Sequence, residues 1–150
     1  MSWVTISESD VITKLSGPEL AAMKTAALQA AQTNPLLEVI TQVIREIRGY
    51  VAACSKNALG DGATVPDELL GVAISRIRFE LATRLPVASL LTDDRRTANE
   101  NALTLLRSVA RCEFAIVPPA TPAADQPGGT PVKVAKSTTL RTGRSALNGL

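Results

Sequence analysis

Two prolines, Pro66 and Pro86, bracket the stretch PDELLGVAISRIRFELATRLP, which constrains the fold more than any other part of the chain. Proline suits the first turn of a helix, where its missing N–H has no partner to lose. Asp67 and Glu68 follow where acids complement the positive end of the helix dipole. Pro86 disfavours helical backbone at Leu85 and closes the run. Between the prolines, Leu70, Ala73, Ile74, Ile77, Leu81 and Leu85 recur at three- and four-residue spacing, and Val72 and Phe79 widen the stripe. A helix apolar over more than half its surface belongs at the centre of its domain. Its charges (Arg76, Arg78, Glu80, Arg84) must share the remaining face or pair with neighbours, as Arg76 and Glu80 can at i,i+4.

The rest of the chain supplies helices to cover that one. Trp3, Val4 and Ile6 form a short apolar segment. Ser7 with Asp10 is a capping-box variant that starts a helix over Glu8–Leu15. Ser16 with Glu19 repeats the signal for a second helix over Gly17–Ala31. Asn34 and Pro35 fit the N-cap and first position of a third, Pro35–Leu59, with Gly60 placed for a left-handed cap. Gly49 inside that helix points to a close approach by another helix, with a bend as the alternative. Thr92, followed by Asp93 and Asp94, can cap a last helix running to Ile116. The expected fold class is therefore all-α, a small helical bundle of four to five helices.

At Val117 the composition changes. Residues 118–131, PPATPAADQPGGTP, cannot hold a helix and indicate an extended or flexible linker. Two regions result: a helical bundle over residues 1–116, and an extended linker with a basic C-terminal arm over 117–150. The bundle holds thirteen acids against twelve bases, whereas the arm holds four bases against the single acid Asp125. The arm admits three readings: a disordered solubilising tail, a segment that orders on a protein partner through its spaced apolar residues, or a weak nonspecific grip on nucleic acid.

The residue types narrow the chemistry. Histidine is absent, which removes the commonest general base and metal ligand. Cys54 and Cys112 lack CxxC spacing and fit two buried reduced thiols behaving as small hydrophobes; a disulfide stays open if their helices pack side by side. Asp67/Glu68 and Asp93/Asp94 are adjacent acids in first helical turns, explained by dipole complementarity. No phosphate loop, nucleophile elbow or zinc motif occurs. Aromatic residues make up only 3% of the chain, which weakens any case for base stacking. No apolar run approaches the roughly 20 residues of a membrane span. The start, MSWVTISESD, lacks the features of a signal peptide, so a cytoplasmic origin is expected.

Three segments in this order carry a family likeness: VIREIRGYVAAC (Val43–Cys54), VPDELLGVAISRIRFELATRLP (Val65–Pro86) and ANENALTLLRSVARCEFAI (Ala98–Ile116). Over Thr5–Ile116 the chain resembles the Mu-like prophage structural proteins, similar to the head–tail connector or adaptor proteins of tailed phages. The resemblance implies a small helical fold without enzyme activity, cofactor or metal. It implies a virion protein at the head–tail neck, made in the host cytoplasm. There it would form a closed ring of about twelve copies under the portal protein, with a neck or tail terminator protein on the tail side. Genomic DNA would pass through the lumen without specific binding, and no membrane is involved. The resemblance also implies an extended C-terminal arm that grips the portal or a neighbouring subunit.

On this reading the site residues are interface residues. Arginine's bidentate fork suits subunit contacts, and Arg78, Arg84 and Arg96 are the candidates between neighbouring copies. Lys133, Val134, Leu140, Arg141 and Arg144 are the candidates for gripping the portal. The rival reading is a DNA-binding helical module of phage packaging or regulation, which requires one continuous basic surface and salt-sensitive affinity. An enzyme would instead require a pocket with convergent polar groups.

Overall fold

Pro66 closes a strand before the central helix begins. The computed structural model describes residues 2–30, 35–85 and 88–122. In order they form β1 (Trp3–Thr5), α1 (Glu8–Ile12), α2 (Gly17–Ala30), α3 (Pro35–Ala53), β2 (Thr64–Pro66), α4 (Leu70–Arg84) and α5 (Asp93–Ala110). Single 3-10 turns at Asp67–Leu69 and Ala88–Leu90 precede α4 and α5. The fold is mostly helical, as the periodicity predicts, with one antiparallel two-stranded sheet added. In that sheet Trp3 pairs with Pro66, Val4 with Val65 and Thr5 with Thr64. Proline is tolerated there because a two-stranded sheet consists of edges, where a missing donor costs little.

The capping signals at Ser7 and Ser16 act as expected, whereas Thr92 stands at the N-cap of α5 without a side-chain cap hydrogen bond, and Asn34 lies outside the described residues. The Asp10 amide donates to Ser7 Oγ at 3.3 Å, and the Ser7 amide donates back to Asp10 Oδ2 at 2.9 Å, a complete capping box. The side-chain and backbone hydrogen bonds of Ser7 hold the Asp10 carboxyl below its ordinary value. At the start of α2 the Ser16 amide donates to Glu19 Oε2 at 2.6 Å.

Helices α3, α4 and α5 pack against one another in a triangle. Leu36, Val39, Val43, Ile47 and Val51 of α3 meet Ala73, Ile77 and Leu81 of α4 and Leu106 and Val109 of α5. Val11 of α1 closes one end, and Val65 and Leu69 bring the sheet and its following turn into the same core. The three- and four-residue spacing read from the sequence is thus the spacing of the buried positions.

Helix ends differ from expectation. α3 stops at Ala53, short of Leu59, and the chain turns through Cys54–Asn57. The Arg48 guanidinium then holds the returning segment, donating to Thr64 O at 2.7 Å and Gly60 O at 3.0 Å. Gly60 therefore caps nothing. The Trp3 ring occupies the place of a Cβ at that position, which lies 2.5 Å from a ring carbon. The positive-φ turn falls at Gly62 (φ 53°), whose amide bonds Asp61 Oδ1. Gly49, expected at a close helix approach, faces open space.

α5 stops at Ala110, short of Ile116, in a Schellman motif. The Cys112 amide bonds Val109 O, the Glu113 amide bonds Ser108 O, and Cys112 itself takes φ 62°. That turn brings the ends of α3 and α5 together, and Cys54 and Cys112 are disulfide-bonded with Cα atoms 5.4 Å apart. The expectation of two reduced thiols is thereby corrected. The two helices run side by side toward the same end of the bundle, and the turn that follows each presents its cysteine to the other. Closing a separation of 58 residues removes chain entropy from the unfolded state equivalent to about 4 kcal/mol.

Beyond Cys112 the chain crosses back over the sheet. Phe114 and Ile116 pack on the core. The Trp3 indole Nε1 donates to Val117 O at 3.1 Å, the Val117 amide donates to Glu68 Oε1 at 3.3 Å, and Pro122 bridges to Gly60. The root of the predicted arm is thus fastened to the two-stranded sheet and the turns beside it.

The two glycines make opposite predictions in urea unfolding. Gly49→Ala removes backbone freedom at an open helical site and raises stability by up to about 1 kcal/mol. Gly60→Ala drives a methyl into the Trp3 ring and lowers stability by more than about 1 kcal/mol.

Candidate interaction surfaces

Charged residues organise the bundle in two clusters, and what they leave over defines its surface. The first cluster surrounds Arg76, only 7% exposed on α4. Its Nη2 donates to Glu46 Oε2 of α3 and to Glu80 Oε1 of α4, both at 2.9 Å. Its Nη1 donates to Asn99 Oδ1 of α5 at 2.6 Å. The i,i+4 pair with Glu80 follows from the sequence; Glu46 and Asn99 do not, because they come from helices whose packing the spacing alone leaves open.

The second cluster surrounds Glu19, 3% exposed at the start of α2. Its Oε2 accepts from the Ser16 amide and from Arg78 Nη2 at 3.1 Å, and its Oε1 pairs with Arg95 Nη2 at 2.9 Å. Arg95 also donates to the Leu90 carbonyl. Burial alone would raise the Glu19 carboxyl. The hydrogen bonds from Ser16 and Arg78, with the Arg78 charge, outweigh it and hold the group below its ordinary value. The capping signal Ser16–Glu19 marked the helix start but gave no sign that the same carboxylate ties α2 to α4 and α5.

The three arginines expected at subunit contacts fall in different settings. Arg78 is taken up within the chain by Glu19, with its Nε buried and unpartnered. Arg84, at the end of α4, reaches across to α3 and meets Glu38 at 3.3 Å and Gln42 at 2.8 Å on the surface. Arg96 is exposed on α5, with no side-chain hydrogen bond or ion pair among the described residues. It stands at an open cleft between α4 and α5 lined by Phe79, Thr83, Leu91, Asn99 and Glu100. The outer face of α3 offers a second open surface, with Leu37 55% exposed beside Glu38, Thr41, Gln42 and Arg45. Lys133, Val134, Leu140, Arg141 and Arg144 lie outside the described residues. Among the described residues no cluster of three His, Cys, Asp or Glu side chains is placed to hold a metal, and no helix is long and apolar enough to cross a membrane.

The family described as Bacteriophage Mu, Gp36 matches residues 6–134, and the chain belongs to that family. Neither a curated protein nor a solved structure matches it.

Two predictions separate the clusters from the surface. Arg76→Ala strands Glu46, Glu80 and Asn99 and costs about 3 kcal/mol in urea unfolding, whereas Arg84→Ala costs less than about 1 kcal/mol. For Glu19 the folded value lies below the unfolded one. Its contribution is complete above the usual carboxylate range and is lost as pH falls through the folded value. Glu19→Gln is less stable than the parent at pH 7 by about 1–3 kcal/mol and flattens the acid limb of the stability curve; an unchanged limb contradicts the assignment.

Proposed function

We propose that this phage protein is a virion structural component of the head–tail neck, an adaptor that assembles as a ring between portal and tail. The family match over residues 6–134 carries the reading. A protein of this kind works by forming interfaces and needs no catalytic centre, cofactor or metal. Its tasks are to present a rigid body to identical neighbours and to reach the portal.

The bundle suits the first task. Its buried Arg76 and Glu19 are paired internally, which supports a triangle of α3, α4 and α5 that holds its shape without neighbours. Among the described residues, the cleft at Arg96 and the outer face of α3 are open surfaces on different helices. A ring needs this arrangement, because each copy must offer one patch to the copy before it and a different one to the copy after. Arg96 is the lateral contact best placed to act, Arg84 supports the α3–α4 edge, and Arg78 acts indirectly by holding α2 in place. The arm suits the second task. Its basic and apolar residues Lys133, Val134, Leu140, Arg141 and Arg144 engage the portal, and each added contact within a ring multiplies through avidity.

Arg96→Glu and truncation after Pro122 test the two halves separately. Arg96→Glu folds normally and loses self-association on chemical cross-linking. The truncated chain keeps its thermal midpoint and loses co-purification with portal. Portal binding that survives truncation removes the arm's role, and self-association indifferent to Arg96→Glu removes the lateral contact.

A further inference from the structure

Cysteine is an unusual choice for the position it holds at the end of α5. Cys112 takes the left-handed C′ place of the Schellman motif at φ 62°, where glycine, or sometimes asparagine, avoids the steric cost of a Cβ. A side chain kept at such a place points to a use for it. Here the use is the bond to Cys54, which lies 2% exposed just past α3. Within the next ten residues the chain has met Trp3 and Glu68 through Val117 and Gly60 through Pro122. Cys112 is therefore the covalent anchor of a short root segment, residues 113–122, from which the arm departs.

We propose that the Cys54–Cys112 pair is a redox-set clasp on the arm root, open in the host cell and closed in the released particle. The timing rests on the virion reading above. A phage protein is made where glutathione and thioredoxin keep thiols reduced, and it ends outside, where disulfides persist. With the pair reduced, the root keeps its contacts with Trp3, Glu68 and Gly60, the bond of the Glu113 amide to Ser108 O and the packing of Phe114 and Ile116, and it exchanges between docked and released positions while subunits are added. With the pair oxidised, the root is fixed to the bundle. The chemistry closes with a low-molecular-weight disulfide as oxidant. The exposed Cys112 thiolate attacks one sulfur of oxidised glutathione and expels a glutathione thiolate. The Cys54 thiolate then attacks Cys112 Sγ and expels the second glutathione thiolate. The protein loses two protons and two electrons, and the oxidant is reduced to two thiols.

The test uses the full chain in reduced and in oxidised glutathione buffers. Intact mass reports the bond, and hydrogen exchange across residues 113–122 reports the root. Oxidised glutathione closes the bond, and exchange across the root slows by at least about tenfold while α4 is unchanged. Cys112→Gly relieves the backbone at φ 62° and keeps the native circular dichroism. Its root exchanges at the reduced rate in both buffers. A bond that does not form, a root equally protected in both states, or a Cys112→Gly root as protected as the oxidised parent overturns the clasp. Rapid alkylation tests the timing: free thiols are expected in infected cells and the disulfide in released particles. A disulfide already complete in cells overturns the timing. Failure to bind portal or to self-associate sinks the neck reading alone, because the exchange measurement needs neither.

Discussion

A guanidinium buried between three helices cannot be left unpaired, and the rest of the bundle depends on how Arg76 solves this. Its acceptors come from α3 (Glu46), α4 (Glu80) and α5 (Asn99). Sliding α3 or α5 by a turn would leave buried polar groups of Arg76 without their partners. Hydrophobic spacing brings the three helices together without choosing among registers, since Val, Ile and Leu accept many neighbours. Arg76 makes one register better than its alternatives. Glu19 does the same for α2, whose own apolar face is weak: Leu20 and Met23 are only partly buried, and the carboxylate supplies the anchor through Arg78 and Arg95.

Much of this was legible in the residues. The stripe of α4, the capping box at Ser7 and Asp10, and the Arg76–Glu80 pair all rest on local spacing, and local spacing is what a sequence displays. The parts that were not legible are non-local. Strands of three residues carry no period, so the pairing of Trp3–Thr5 with Thr64–Pro66 left only an apolar N-terminal segment as its trace. Arg48 resembles any surface arginine until Gly60 and Thr64 are brought to it. Gly49 and Gly60 exchanged roles: the helical glycine lies in open space, and the one placed for a cap is pressed against an indole. The disulfide was open in the sequence, and its answer depended on two helix ends that both came earlier than the apolar pattern suggested.

These ends shape the functional surface. Because α3 and α5 finish together, the disulfide, the two-stranded sheet and the arm root gather at one end of the bundle. The Arg96 cleft and the outer face of α3 lie along its sides. The arginines also divide by task. Arg76, Arg78 and Arg95 join helices within the subunit, whereas Arg96 stands at the surface. Among Arg78, Arg84 and Arg96 only the last is wholly free to meet a neighbour within the described residues, a distinction that residue type alone could not make.

On the proposed reading, a bundle of the Mu Gp36 family with Arg76 and Glu19 paired internally assembles with copies of itself at the portal. Light scattering on the size-fractionated full chain, alone and mixed with portal, measures this most directly. The account predicts a closed species of many copies that co-elutes with portal. A strict monomer that ignores portal and binds DNA in a salt-sensitive manner would contradict it.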